Sequence, residues 1–216
     1  MRETMKEIID SQSSAVIMNV KEDVLNDVID FIKSYDYKYY VLNSEGVHGT
    51  VRLGFINGIN EYTGSEKFVK NRVFQELNLI NKLYKVGLDN YYLEYIVEWV
   101  HWIYTMSTPL NYLDNDGVLF DYLIEFFENK YYEDENTEDE IAIKFLRVLE
   151  EILAADTDLP ILWIRDRLFK QPAILIVVED NQVKETYVEA LVKQYYDEYV
   201  EIEGSSKPLL FVRLQN

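Results

Sequence analysis

Pro172-Ala173-Ile174-Leu175-Ile176-Val177-Val178-Glu179-Asp180 is the most strand-like run in the chain. Its apolar core, Ala173–Val178, is rich in β-branched residues and lies between a proline and an acidic break. A strand apolar on both faces belongs in the middle of a sheet covered on both sides, which is the habit of parallel sheets. Downstream, Val183, Tyr187, Leu191 and Tyr195 recur at helical spacing. Tyr199–Glu203 then reads as a strand, Gly204–Ser206 as a turn, and Leu209–Leu214 as a final strand.

The amino-terminal end repeats this grammar. Residues 1–12 read as a short helix or arm, and Ala15–Val20 as a buried strand. Val24, Leu25, Val28, Ile29 and Ile32 follow at helical spacing, and Tyr37–Leu42 reads as a second strand. Strand–helix–strand units of this kind build parallel sheets. Thr50–Ile56 is a weaker third strand, in a passage punctuated by Gly54, Gly58 and Gly64.

Between the two ends the pattern is helical. Thr63 with Glu66 forms a capping box that opens a helix striped by Val69, Val73, Leu77 and Ile80, with Gly87 as its C-cap. Asn90–Thr105 is apolar on most sides and reads as the central helix of a small bundle. Pro109 and Asp114–Gly117 break the chain before a helix over Val118–Phe127. The acidic run Glu133–Glu140 reads as a solvated connection, with Thr137 and Glu140 as a second capping box before a helix over Ile141–Leu153. Pro160 opens a short strand, Ile161–Ile164, and Arg165–Phe169 a helical turn. The expected fold is α/β in one domain over 1–216: a mostly parallel sheet from about 13–60 and 160–216, with a helical insertion over about 65–155.

Composition narrows the chemistry. The chain has 216 residues, 48% of them hydrophobic, which suffices for a real core. Its 39 acids against 21 bases give a formal charge of −18, a field that opposes nonspecific binding to nucleic acid or anionic membranes. The absence of cysteine removes disulfides and thiol chemistry and fits a reducing, cytoplasmic setting. The start, Met1–Asp10, carries no apolar signal core, and Glu94, Glu98 and His101 interrupt the longest apolar stretch, so no membrane partner is expected. Tyrosine is abundant, with 18 residues, and supplies contact area with a polar tip.

Four groups of residues carry chemical interest. In an open parallel sheet, ligands bind beyond the carboxyl ends of the strands, where Asp23, Glu179 and Asp180 would sit. Ile174–Asp180 resembles the acid-terminated strand of P-loop nucleotide hydrolases; that resemblance implies a Mg²⁺ held through water at Glu179 and Asp180, and the layout would set Asp23 beside them. It covers this strand and the general layout alone, because no G-x-x-x-x-G-K-[ST] occurs in the sequence. An acidic exit from a buried strand is also an ordinary architectural feature, and no cofactor beyond that divalent cation is expected. Second, Glu45–His48 and Glu98–His101 are E-x-x-H pairs of the kind that hold di-iron in helical bundles. Glycines 46 and 49 disfavour a helix at the first by about 1 kcal/mol each. Third, the polar loop Ser44–Thr50 offers backbone N–H groups to an anion, or is simply a turn. Asp114–Gly117 fails as a calcium loop, since Tyr112 and Leu123 fall at ligand positions.

The fourth group is basic. Lys67, Lys70, Arg72, Lys82 and Lys85 share one helix, and Arg165, Arg167 and Lys170 flank Trp163. In an acidic chain such clusters mark docking of a polyanion or of a protein partner, or else pair with neighbouring acids. With no complete catalytic constellation, the sequence leans away from an enzyme. The expected function is a binding or regulatory protein acting through an acidic, tyrosine-rich surface on a protein partner, in concrete form an inhibitor or immunity-type partner of a basic nucleic-acid enzyme. The alternative is a nucleotide-hydrolase-like fold without a phosphate loop, acting as an oligomeric nucleic-acid-binding accessory protein. An acidic chain with basic spots also suits homo-oligomerisation.

Overall fold

The computed structural model describes residues 2–42, 49–51, 66–106, 116–134, 136–153, 159, 162, 164–178, 182–204 and 208–214. It divides into two compact units, one formed by Met1–Leu53 with Leu159–Asn216 and the other by Gly54–Asp158.

The first unit is an α/β sandwich. Its elements are α1 (Arg2–Asp10), β1 (Ser14–Val20), α2 (Glu22–Ser34), β2 (Tyr39–Val41), a π-helical turn (Arg165–Phe169), β3 (Ile174–Val178), α7 (Gln182–Glu203) and β4 (Leu209–Arg213). Among the described residues the strands form one all-parallel sheet in the order β2-β3-β1-β4. The run Ile174–Val178 is therefore an interior strand, and all of its residues are buried.

The order follows from two crossovers in opposite directions. From β1 the chain passes over β3 to reach β2, and from β3 it passes over β1 to reach β4. Right-handed crossovers in opposite directions put their helices on opposite faces. Leu25, Val28 and Ile32 of α2, with Met5, Ile8 and Ile9 of α1, pack on Ala15, Ile17, Ile174 and Ile176. On the other face α7 and the π turn contact β1, and Phe169 meets the rings of Tyr196 and Tyr199 at 5.5 and 5.4 Å. Ser14 holds the sheet to the π turn: its buried hydroxyl donates to the Leu168 carbonyl and accepts from the Ala173 N–H.

Two local features depart from simple strand and helix rules. Asn19 takes φ +61° near the end of β1, where the register with β3 slips between Ile17 and Val20. The extra residue changes the side-chain parity, so Val20 falls on the α2 side in place of Asn19. The Asn19 amide donates to Leu214 O (2.8 Å), fastening β4 to this bulge. Three helices also end with a non-glycine residue in the left-handed region: Gln12, Asp36 and Lys85. In each, the next residue's N–H reaches back to the carbonyl five residues before it (Ser13 to Ile8, Tyr37 to Ile32, Val86 to Asn81), as a Schellman motif requires.

The second unit contains α3 (Glu66–Tyr84), α4 (Asn90–Met106), α5 (Asp116–Asp134) and α6 (Thr137–Leu153). Here α3 packs on α4 and α5 on α6. Val73, Leu77, Ile80, Leu93, Ile96, Phe127, Phe145 and Leu149 lie in its interior. The helical middle thus stands as expected.

Several boundaries differ from the sequence reading. Tyr199–Glu203 is the last part of α7 and not a strand. The packing of Tyr196 and Tyr199 on Phe169 sustains the helix, and Gly204 ends it at φ +73°. Lys85 supplies the left-handed turn after α3 that was assigned to Gly87, which follows at φ +82°. The second capping position is Asn136: its Oδ1 accepts from the Glu138 N–H (3.1 Å). Helices α5 and α6 fill most of the acidic run read as a connection. Val51 bridges Leu42 in parallel. Residues 52–56, Thr63, Ile161 and Trp163 lie outside the described residues.

Candidate functional site

Helix α4 carries the site. Its sequence, Asn90–Met106, is apolar on most sides, more than one interior can absorb. Tyr92, Leu93, Ile96 and Val100 go inside. Tyr95 and Trp99 are half-buried and continue onto α5, where the Tyr95 ring stacks on Phe126 (5.8 Å) and Trp99 meets Tyr122 (5.5 Å). Tyr91 is left 70% exposed and Tyr122 53%.

Between α3 and α4 lies a groove of about 520 Å³. Phe74, Tyr91, Tyr95 and Val97 give it an apolar floor and wall, and Lys70, Glu94 and Glu98 stand at its polar margin. Lys70 is held at 2.7 Å by both Glu66 and Glu98. Those two hydrogen bonds raise the Lys70 ammonium above its ordinary pKa. The Lys70 hydrogen bond and charge, with a contribution from His101, lower the Glu66 carboxyl. Glu94 is exposed and makes no ion pair or hydrogen bond among the described residues. The same alternation of tyrosine and acid continues on α5, where Asp121, Tyr122 and Glu125 are exposed together. A side chain with a cationic head and an apolar stem fits this composition: tyrosine faces attract the cation and the free carboxylate pairs with it.

Below this surface a buried polar cluster ties α4, α5 and α6 together. The Asp139 side chain is fully buried and accepts from Lys130 Nζ at 3.2 Å. Lys130 also lies 5.4 Å from the centre of the Tyr92 ring, and the Asn136 amide donates to the Tyr92 hydroxyl at 3.1 Å. Burial, then the neighbouring Asp139 carboxylate, raises the Tyr92 phenol. Desolvation pulls the Lys130 ammonium down, and its bond to Asp139 more than offsets this, leaving it raised.

The basic residues of α3 do not form one patch. Arg72 is buried, one turn from buried Glu76, and Lys70 belongs to the Glu66–Glu98 bridge. Lys67, Lys82 and Lys85 are exposed but spread from one end of the helix to the other. Arg165 and Arg167 lie on the π turn; Arg167 is exposed, with its guanidinium 5.8 Å from the Tyr40 ring centre.

Asp23 is exposed in the first turn of α2, beyond the carboxyl end of β1, where the two crossovers diverge. Glu179 and Asp180, like Glu45 and His48, lie outside the described residues. Among the described residues no group of three acidic or histidine side chains is placed to hold a metal, the Glu98–His101 pair included. Of the Ser44–Thr50 loop, Gly49 and Thr50 are described; the Thr50 hydroxyl accepts from the Val41 N–H at 2.9 Å. No described helix is long and apolar enough to cross a membrane.

Sequence reasoning identified the tyrosine-rich, acidic character of the site but not the α3/α4 groove. The signal was present in the apolar residues on most sides of α4, more than one interior takes up, which leaves Tyr91 exposed beside Glu94. No family model matches the chain, and neither curated proteins nor solved structures give a match.

Proposed function

We propose that this protein is a non-enzymatic binding protein that engages a basic protein partner through the tyrosine- and acid-lined face of α4 and α5, anchored in the α3/α4 groove. In concrete form the partner is a basic nucleic-acid enzyme and the protein its inhibitor or immunity-type antagonist. One observation carries the reading: Tyr91, 70% exposed, shares a groove with Glu94, which has no partner of its own among the described residues. Exposed aromatics beside free charge are the composition of binding hot spots. The charge of −18 adds long-range attraction for a basic surface and speeds encounter.

The test is titration calorimetry with an arginine-rich peptide. Any acidic protein attracts such a peptide weakly, so the readout is the difference among variants. Tyr91→Ala and Glu94→Gln are each expected to weaken binding by about tenfold, and Glu201→Gln on exposed α7 to leave it within about twofold. Equal effects at all three positions would reduce the interaction to net charge and overturn the proposal.

A further inference from the structure

The surface beside β2 is basic in an otherwise acidic chain. Lys33–Val41 and Ile164–Ala173 together hold five bases and two acids, in a chain of 21 bases and 39 acids. The fold brings these two segments into contact. β2 pairs with β3, the Ile174 N–H bonds to the Lys38 carbonyl (2.9 Å), and Lys38 Nζ bonds to Gln171 Oε1 (2.9 Å).

Tyrosines punctuate the cations. Successive residues of a strand face opposite sides, so Tyr39 and Tyr40 point to opposite faces of the sheet. Lys33 lies 5.9 Å from the Tyr39 ring centre on the α2 side, and Arg167 lies 5.8 Å from the Tyr40 ring centre on the π-turn side. Lys38 is exposed between them, and Lys170 is exposed just beyond the π turn. The basic band therefore wraps the β2 edge. Tyr35, 42% exposed, stands on the connection from α2 into that edge. The Tyr40 side chain is buried, yet its hydroxyl has no hydrogen-bond partner among the described residues.

We infer that this edge binds single-stranded nucleic acid, with Lys38, Arg167 and Lys170 on the phosphates and Tyr35 as a stacking platform. The charge inversion supplies the electrostatics, since a phosphate backbone is otherwise repelled by this chain. Exposed aromatics interleaved with cations are what single strands require, because every base has a face to stack. The inference is independent of the α3/α4 groove, which lies in the other unit.

The experiment is fluorescence anisotropy with a labelled oligothymidylate of about 20 nucleotides. Three phosphate contacts at a slope of about −0.7 each predict a roughly 20-fold loss of affinity between about 50 and 200 mM salt. The paired reversal Lys38→Glu with Arg167→Glu is expected to abolish binding, and Tyr35→Ala to weaken it about tenfold. Lys82→Glu, on α3, is expected to leave it unchanged. Circular dichroism confirms folding, and the milder pair Lys38→Gln with Arg167→Gln repeats the test should the reversals unfold. Polyglutamate serves as competitor at matched charge. No binding at low salt, binding that survives the paired reversal, or binding unaffected by Tyr35→Ala and displaced equally by polyglutamate would overturn the inference; the last outcome would mark an acidic polypeptide as the occupant.

Discussion

Lys130 and Asp139 give the sharpest stability prediction, because their surroundings are unequal. Asp139 is fully buried, whereas the Lys130 side chain is 40% exposed and reaches the carboxylate with its tip. Remove Asp139, and Lys130 swings into water. The lost interaction is then one charge-assisted hydrogen bond, and Asp139→Asn is expected to destabilise by about 1–2 kcal/mol. Remove Lys130, and Asp139 stays in place as a buried carboxylate. Its Oδ2 already has no hydrogen-bond partner among the described residues. Lys130→Met is therefore expected to destabilise by about 3–5 kcal/mol. The double variant removes the stranded charge and is expected to be about as stable as Asp139→Asn alone, a coupling that cancels the ~3–5 kcal/mol cost of Lys130→Met. Urea denaturation of the wild type, both single variants and the double variant measures all four stabilities. Equal losses in the single variants, or additivity in the double, would refute the claim that the desolvated carboxylate dominates.

Three further outcomes follow from the fold. Lys85 is exposed at φ +51° with a Schellman bond beside it, so Lys85→Gly is expected to stabilise by about 1 kcal/mol, read as a rise in Tm. Ser14→Ala strips a donor from the Leu168 carbonyl and an acceptor from the Ala173 N–H, with an expected loss of about 1–3 kcal/mol in urea denaturation. Burial pushes the Tyr37 phenol up to about 12 from 10.0, and its hydroxyl donates to Ser13 O at 2.6 Å. Because the folded value is raised, this stability is complete below pH 10.0 and is lost as pH rises through about 12. Tyr37→Phe should be less stable than the wild type at neutral pH, and the gap should narrow over that interval in pH-dependent unfolding.

The architecture was legible because the strands needed to be buried on both faces. Ala15–Met18 and Ile174–Val178 are continuous apolar runs, and a covered parallel sheet accommodates two of them. The helices of the middle unit were legible from periodicity. The errors lie where local pattern met tertiary packing. Tyr199–Glu203 alternates enough to read as a strand, but Tyr199 is held by the distant Phe169 ring, a contact that no local window contains. The slip at Asn19 was equally hidden, since a single left-handed asparagine leaves no periodic signal. The site was legible in kind. Composition announced an acidic, tyrosine-rich surface, while the groove arises from which faces of α3 and α4 are left over after packing. The basic residues of α3 show the converse: adjacency in sequence put Arg72 with Lys70, yet the helix turns Arg72 inward. Lys38 and Arg167, far apart in sequence, come to one edge through the β2–β3 pairing.

The central claim is that a basic partner is read at one place and not by net charge alone. Amide chemical-shift mapping of the ¹⁵N-labelled protein with an arginine-rich peptide tests this most directly. The expected result is a set of shifts concentrated on Asn71, Phe74, Tyr91, Glu94 and Tyr95, which line the groove, and persisting at about 150 mM salt. Shifts spread evenly over the acidic helices, α7 included, and vanishing at that salt would contradict it.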